Sequence, residues 1–297
     1  MRYISDLHEG DQVSEIYLCK TKSPGTSKFG KSYYSLTLQD KTGMIDGKVW
    51  ELTNAIGHFE AMDYILVRGQ VTSYQGSNQL NIQQIRKAQE GEFDMADYMP
   101  STKKDIDGMF KELLAMISKT KNQYLKQLAE KIFIKDKNFA REFKVHSAAK
   151  SVHHGYIGGL LEHSLSVAKI CESYANLYPQ LNRDLIVMCA LWHDMGKVEE
   201  LSSFPENDYT DEGQLVGHIV MGAIKLDRLI REIPGFPPKL ANEVKHCMLA
   251  HHGELEFGSP KKPALLEAIA LSQADNLDAK METFAEIMEK QKEDQEW

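Results

Sequence analysis

The stretch "ALWHDMGK", residues 190–197, decides the interpretation of the C-terminal two thirds of the chain. It closes an apolar run from Leu185 to Trp192, which predicts a buried helix. His193 and Asp194 follow this run at once, and Lys197 comes three residues after Asp194. A buried carboxylate is costly unless it is compensated. Asp194 therefore needs a salt bridge, a hydrogen-bond network or a metal ion.

More polar residues of this kind occur along the helical part of the chain, which begins near residue 106 and has apolar residues at three- and four-residue spacing. Singly, each histidine is more often a core or boundary residue with one hydrogen bond. Together, imidazole and carboxylate groups suit Mn, Fe, Co, Ni or Zn rather than a pure Ca or Mg site. Helical bundles build such sites from inward-facing side chains on separate helices. The candidate ligands are His163, His193, Asp194, His218, His251, His252 and Asp275.

The first 88 residues have a different pattern. Segments rich in β-formers alternate with turn sequences such as "SPGTSKFGK" and "YQGSNQ". Five or so short strands, with a helix-like piece near "LTNAIGHF", predict a small all-β barrel. An OB-type barrel is one such fold, and an SH3-like barrel is its main competitor. Residues 89–105 lack periodicity and contain Gly and Pro, which indicates a linker. Residues 106–297 then form an all-α domain.

Composition sets the broad class. The 297 residues are 42% hydrophobic and 26% charged, which is typical of a packed soluble protein. No segment predicts a membrane span or a signal peptide. The four cysteines lie far apart without CxxC spacing, and Cys171 and Cys189 sit in apolar helical patterns. We therefore expect a reduced, cytoplasmic protein with no membrane partner.

The net charge of −8 argues mildly against a nucleic-acid partner, but its distribution weakens that objection. Residues 1–90 carry ten Lys/Arg and ten Asp/Glu and are neutral, whereas residues 281–297 carry six acids and two lysines. Between Glu15 and Asp40 there are four lysines and no acid. The predicted barrel is therefore compatible with a polyanionic partner.

The ordered residues His163, His193-Asp194 and Asp275 resemble the H…HD…D pattern of the HD-domain phosphohydrolase superfamily, and "HDMGK" resembles its HD-x-GK signature. The resemblance covers roughly residues 145–290. It implies that Asp194 bridges two metal ions and that His163, His193 and Asp275 complete the first site.

His218 and the "HHG" of residues 251–253 look like the additional histidines of binuclear members of this superfamily. The resemblance implies that His218 and His251 complete the second site. The sequence leaves open whether His251, His252 or both bind metal.

The segment "HHGYIGGLLEHSLSVA", residues 153–168, behind a small barrel resembles the YhaM-type 3′→5′ exoribonucleases of Gram-positive bacteria over nearly the whole chain. That resemblance implies an OB-fold barrel and single-stranded RNA as substrate, with single-stranded DNA as a further substrate to test. We expect two divalent transition-metal ions, with manganese first and cobalt or iron as alternatives.

Phosphodiester hydrolysis needs an attacking hydroxide, neutralised phosphoryl oxygens and help for the leaving oxygen, and two metal ions can do most of this. Lys197 is a candidate for contact with the scissile phosphate, and its alternative is an ion pair with Asp194 or Glu200. His154 and His252, with His153, are candidates for donating a proton to the leaving oxygen or for holding substrate.

The segment "KTKSPGTSKFGKSYY", residues 20–34, combines lysines with aromatic residues. Lysines can follow a phosphate backbone, and exposed rings can stack on bases without sequence preference. The alternative is ordinary loop charges, with one tyrosine ring in the barrel core and Trp50 as a core residue. The predicted substrate-binding residues are Lys28, Phe29, Lys31, Tyr33 and Trp50, within a stretch that also holds Lys20, Lys22 and Tyr34.

Two rival functions use the same pattern. One is a nucleotide or cyclic-dinucleotide phosphodiesterase in which the barrel is regulatory. The other is a non-catalytic binding protein with a relic site, which the complete ligand set argues against. The native metal, the RNA targets and whether the protein forms a homo-oligomer stay open at this point.

Overall fold

The structure is a computed structural model that describes residues 1–27, 30–74, 76–150 and 154–291. The chain divides into two compact units, residues 1–100 and residues 101–297. The first is an all-β barrel and the second is helical, as the sequence predicts.

Five strands close the barrel in the order β1-β2-β3-β5-β4, which is an OB-type arrangement. The first half of β1 pairs with β4 and its second half pairs with β2, with a register shift between Cys19 and Thr21. A parallel pairing of β3 with β5 completes the closure. The strands are β1 (Gln12–Thr26), β2 (Ser32–Asp40), β3 (Gly43–Val49), β4 (Tyr64–Tyr74) and β5 (Ser77–Lys87).

The prediction of a helix-like piece in "LTNAIGHF", residues 52–59, is wrong. This segment forms turns and an isolated parallel bridge between Ile56 and Ile85. The amide of Gly57 donates to the carbonyl of Ile85 at 2.8 Å, and the amide of Ile85 donates to the carbonyl of Ala55 at 3.0 Å. Pairing with β5 therefore satisfies the backbone groups that a short helix would have satisfied internally.

The segment predicted as a linker, residues 89–105, contains the boundary between the units, which falls after Pro100. Residues 89–100 pack with the barrel: the Phe93 ring stacks on Tyr64 at 4.0 Å between centroids, and Tyr98 is buried. Arg86 also pairs with Glu92 at 2.7 Å. Such aromatic contacts leave no periodic pattern, so the sequence shows this segment only as irregular.

The second unit is a helical bundle. Its core is built on α4 and α5, and α5 is buried from Leu185 to Trp192, which confirms the predicted buried helix. The helices are α1 (Ile106–Lys119), α2 (Gln123–Glu130), α3 (Lys137–Val145), α4 (Gly159–Leu177), α5 (Arg183–Trp192), α6 (Lys197–Glu200), α7 (Asp211–Val216), α8 (His218–Arg231), α9 (Pro238–Ala250) and α10 (Leu266–Gln291).

Two glycines allow close backbone approach next to the predicted ligands. A Cβ on Gly159 would lie 2.0 Å from the carbonyl oxygen of His154, and a Cβ on Gly196 would lie 2.1 Å from that of His218. Both distances are far below van der Waals contact, so only glycine fits. Gly196 of "HDMGK" therefore lets the start of α8 approach the turn that carries Asp194.

Candidate metal centre

The predicted ligands come from five places in the helical unit and converge at one centre. His163 lies in α4, and His193 and Asp194 follow α5. The remaining ligands lie at the start of α8, just after α9 and within α10: His218, His251, His252 and Asp275. Because α5 is buried on all sides, its C-terminal end delivers Asp194 into the interior, where it is almost fully buried.

One oxygen of Asp194 faces the first set of ligands. From Asp194 Oδ2, His163 Nε2 lies at 3.4 Å and His193 Nε2 at 3.5 Å. The Oδ1 atom of Asp275 lies 3.2 Å from His163 Nε2 and 3.7 Å from His193 Nε2. The ligand atoms of His163, His193 and Asp275 lie within 4.8 Å of one another, close enough to surround one ion, and Asp194 Oδ2 lies beside the two histidines.

The other oxygen of Asp194 faces a second set. From Asp194 Oδ1, His218 Nε2 lies at 3.5 Å and His251 Nε2 at 3.4 Å. His252 belongs to the same group, because one ligand atom from each of these residues lies within 4.8 Å of the others. The two oxygens of one carboxylate thus face two separate ligand sets, and both members of the HH pair are in reach of the second.

All five clustered histidines have Nδ1 bound to an acceptor, which leaves the Nε2 lone pair facing the centre. In three of them the acceptor is the backbone carbonyl at or near a helix end. The pairs are His193 with Ala190 (2.8 Å), His251 with Met248 (2.7 Å) and His252 with Phe257 (2.8 Å).

The other two histidines are anchored by carboxylates that sequence reasoning did not include among the site residues. His163 Nδ1 lies 2.8 Å from Asp278 Oδ2, and His218 Nδ1 lies 2.9 Å from Glu200 Oε1. Asp278 is three residues after Asp275 on α10, and this spacing puts both side chains on one helix face. The sequence could therefore have indicated Asp278 as a site residue. Glu200 has no comparable sequence signal, because only the tertiary fold brings it to the start of α8.

Three buried atoms at the centre have no hydrogen-bond partner in the described part of the chain: Asp194 Oδ1, His218 Nε2 and His251 Nε2. Unsatisfied buried polar atoms are rare because each carries a desolvation cost. A divalent cation bound by these atoms would satisfy all three. The centre therefore fits a metal ion on its own geometry.

The electrostatics point the same way. Burial opposes charge on Asp194, but Lys197 and His193 outweigh it and hold the pKa of Asp194 well below its usual value. Burial alone would lower the pKa of His163, yet Asp194 and Asp275 raise it well above its usual value. The 3.2 Å contact between His163 Nε2 and His193 Nε2 also needs a proton on one ring. A metal ion would replace that positive charge.

Lys197, the predicted phosphate contact, forms an ion pair with Asp194 at 2.7 Å between Nζ and Oδ2. Its side chain remains 16% exposed and lines an open cavity of about 470 Å³ together with His163, His252 and Asp275. The sequence leaves two roles for Lys197 open, and this ion pair is one of them. The other role, contact with the scissile phosphate, stays a prediction, and the position of Lys197 at the cavity is compatible with it.

His154, a predicted proton donor, has both ring nitrogens engaged. Nδ1 lies 2.8 Å from the Tyr156 hydroxyl and Nε2 lies 3.0 Å from Asp278 Oδ2. The Tyr156 hydroxyl also lies 3.1 Å from Glu162. This geometry favours a supporting role for His154, in which it holds Asp278 against His163. His153 lies outside the described residues.

The predicted strand-binding residues of the barrel are only partly described, since Lys28 and Phe29 lie outside the described residues. Lys31 is exposed and directly precedes β2. Tyr33 and Trp50 pack with ring centroids 4.9 Å apart, and Lys48 Nζ lies 5.8 Å from the Tyr33 ring centroid. Trp50 is 46% exposed, so it is not a core residue.

Tyr34, in contrast, packs against the barrel core. Lys22 Nζ lies 4.9 Å from the Tyr34 ring centroid and 4.5 Å from that of Phe59. It also donates to the carbonyl oxygen of Phe59 at 2.6 Å. Lys22 thus has a structural role, whereas Tyr33 and Trp50 form a ring pair at the surface.

The fold and the comparisons define the class of protein. A family model described as "HD domain" matches residues 160–280. An HD domain implies binding of divalent metal, and this domain together with the full-length relative described next places the chain among the phosphodiester hydrolases. The 3′-5′ exoribonuclease YhaM of Bacillus velezensis is 35% identical over 289 residues, which cover 96% of this chain and 91% of that protein. The chain belongs to the YhaM family.

Solved structures with similar parts are more distant. The second OB-fold domain of replication protein A from Methanococcus maripaludis is 21% identical, with 31% of this chain and 98% of that chain covered and a TM-score of 0.24. The HD domain of the L. monocytogenes phosphodiesterase PgpH is 16% identical, with 54% and 86% covered and a TM-score of 0.34. Among the described residues, no helix has the length and apolarity needed to cross a membrane.

Proposed function

We propose that this protein is a metal-dependent 3′→5′ exoribonuclease that removes nucleotides from single-stranded RNA, with single-stranded DNA as a second substrate. One observation carries the metal-dependent part: the two oxygens of Asp194 face two separate sets of histidine Nε2 atoms. The RNA substrate and the polarity are supported by the relationship to a 3′-5′ exoribonuclease over nearly the whole chain.

The residues would hold two divalent ions, for which manganese is our first choice and cobalt or iron the alternatives. His163, His193, Asp194 and Asp275 would bind one ion. Asp194, His218 and His251, with His252 in reach, would bind the other. Two such ions supply charge neutralisation for the phosphoryl group and lower the pKa of water toward neutrality.

The chain's own residues then orient the reaction. Each histidine is held by its Nδ1 contact, so the ligand atoms need little rearrangement when the site is loaded. Lys197 stands between Asp194 and the cavity and would contact a phosphoryl oxygen of the substrate. His252 presents Nε2 as an acceptor because Nδ1 donates to Phe257, which favours ligand binding or substrate holding over proton donation.

The barrel would bind the single strand. The Tyr33–Trp50 pair offers a surface ring on which bases can stack, and Lys48 supplies positive charge beside it. Lys31, which is exposed two residues before Tyr33 in the chain, would add a second positive charge. All four cysteines are free and buried, which supports a reducing, cytoplasmic location.

The test uses a 5′-labelled 20-nucleotide single strand as RNA and as DNA, beside a cyclic dinucleotide and a mononucleotide. Metal is removed with a chelator and returned as Mn, Co or Mg. We expect a ladder that shortens from the 3′ end of RNA, faster than DNA, only after metal is returned, and no ladder on a 3′-blocked strand. Hydrolysis of the cyclic dinucleotide alone would instead establish the small-nucleotide phosphodiesterase.

A further inference from the structure

The cavity beside the metal centre contains features that metal chemistry does not use. Lys197, His252 and Asp275 are among the residues that line it, and its volume of about 470 Å³ lies in the range of small-molecule pockets, about 300–1000 Å³. Alanines at positions 148, 149 and 279 line other parts of it and leave space because their side chains are single methyl groups. The cavity suits one nucleotide of a single strand, since a paired end would be far larger.

Phe257 lines the same cavity but remains 62% exposed. It lies in a single 3₁₀ turn, Leu255–Phe257, which Gly258 closes in a left-handed conformation at φ +87°. The backbone carbonyl of Phe257 accepts from His252 Nδ1 at 2.8 Å. The turn is thereby tied to the metal centre through its backbone, and the ring itself has no part in that contact.

An exposed aromatic ring at the wall of a pocket is placed to contact a ligand that enters the pocket. Lys197 and the ligand cluster supply the phosphate end of a nucleotide site, so the apolar ring at the same cavity suits the base. Every nucleobase has a flat π-face, and stacking on an aromatic ring is tolerant of sequence. An enzyme that removes nucleotides one after another needs such tolerance at the terminal position.

We propose that Phe257 is the stacking platform for the base of the 3′-terminal nucleotide. This inference rests on the proposed function and names the part of the substrate that the cavity recognises. It makes Phe257 a substrate-binding residue that discriminates against strands whose terminal position lacks a base, while leaving the identity of the base free.

The experiment compares a single strand carrying a normal 3′-terminal nucleotide with the same strand carrying an abasic one, measured as kcat/KM in the Mn-loaded enzyme. We expect the wild type to prefer the normal strand by about 5- to 150-fold, the range set by one base–aromatic stack. Phe257→Ala should lose this preference by slowing the normal strand only, and Phe257→Trp should keep it.

Leu255→Ala is the matched control, because Leu255 lies in the same turn, is 59% exposed and does not line the cavity. It should leave both rates unchanged. A second measurement needs no turnover: a terminal 2-aminopurine on a hydrolysis-resistant phosphorothioate strand should lose fluorescence on binding to the wild type and less on binding to Phe257→Ala.

Three results are distinguishable. A preference that survives in Phe257→Ala, or equal slowing of both strands, overturns the stacking role. Unchanged 2-aminopurine fluorescence in the wild type overturns it as well. Failure of the wild-type enzyme to cleave either strand with any metal contradicts the proposed function itself.

Discussion

The candidate metal centre of the helical unit and the candidate strand-binding ring pair of the barrel hold their side chains in opposite ways. At the centre, each imidazole is anchored through Nδ1, and Asp194 is almost fully buried. On the barrel, Tyr33 is half-buried and Trp50 is 46% exposed. Phosphodiester chemistry needs ligands fixed before the substrate arrives, whereas binding of any sequence needs rings that adapt to different bases.

The largest effect is expected at Asp194. Asp194→Ala should lower hydrolysis of RNA at least about 1000-fold, because several kcal/mol of charge stabilisation would depend on the ions that Asp194 would hold. Bound Mn should fall with activity, as measured by elemental analysis. Because this change strands the Lys197 cation, the double variant Asp194→Ala/Lys197→Met, which removes both charges, is the control for folding. Substantial activity in excess Mn would contradict the binuclear site.

A substitution at Lys197 tests whether this residue contacts the substrate or only supports the structure of the centre. Lys197→Ala should reduce turnover about 100-fold, the scale expected when a charge-stabilising donor is removed, while keeping the metal. His193→Ala is the reference that loses metal. If both variants lose the same amount of Mn, Lys197 supports the centre through its ion pair with Asp194 and does not contact phosphate.

The two carboxylates that hold histidine side chains, Asp278 and Glu200, allow the two ligand sets to be tested separately. Asp278→Asn should weaken binding of the ion at His163, and Glu200→Gln that of the ion at His218, each by about 10- to 100-fold. Equilibrium dialysis with Mn should show one tight and one weakened site in each variant. Glu282→Gln is the control on α10, because Glu282 contacts Tyr156 and no histidine of the cluster. Equal weakening of both sites would mean that the anchors do not act separately.

Substitutions in the barrel should weaken RNA binding and leave the rate of phosphodiester hydrolysis unchanged. Tyr33→Ala with Trp50→Ala should weaken binding of a 20-nucleotide RNA by at least about fivefold, the loss of one modest stack. Cleavage of a dinucleotide should stay unchanged. Tyr178→Ala, at a tyrosine 48% exposed in the helical unit, is the matched control. Unaltered RNA affinity would leave the barrel as a module for partners or assembly.

The smallest effect concerns charge on the barrel. Replacing Lys31 and Lys48 by Gln should flatten the dependence of binding on salt, by about 0.7 of a log-log unit for each phosphate that is no longer neutralised by a lysine. The measurement is RNA affinity across a salt series with chelator present. Lys239→Gln, at a lysine 91% exposed in the helical unit, is the control for net charge. If the wild type, the Lys31/Lys48 double variant and Lys239→Gln all show the same dependence of RNA affinity on salt, these two lysines do not contact the strand.

The sequence predicted those features that follow from local pattern. Period-two strands with turn residues indicated the barrel, and the apolar run before His193 indicated a buried helix whose end needs compensation for Asp194. Polar residues on otherwise apolar helices also identified the ligand candidates that the structure brings together. Burying a carboxylate or an imidazole is costly, so such residues stand out without any coordinates.

Only the tertiary structure decided what depends on contacts between distant segments. In the folded chain, residues 52–59 form a bridge with β5, and residues 89–100 pack against the barrel. Tertiary packing also places Glu200 beside His218 and Asp278 beside His163. It also engaged both ring nitrogens of His154, which the sequence had offered as a candidate for donating a proton or holding substrate. Hydrogen-bond partners and cavity walls come from long-range packing, and no periodicity within one segment encodes them.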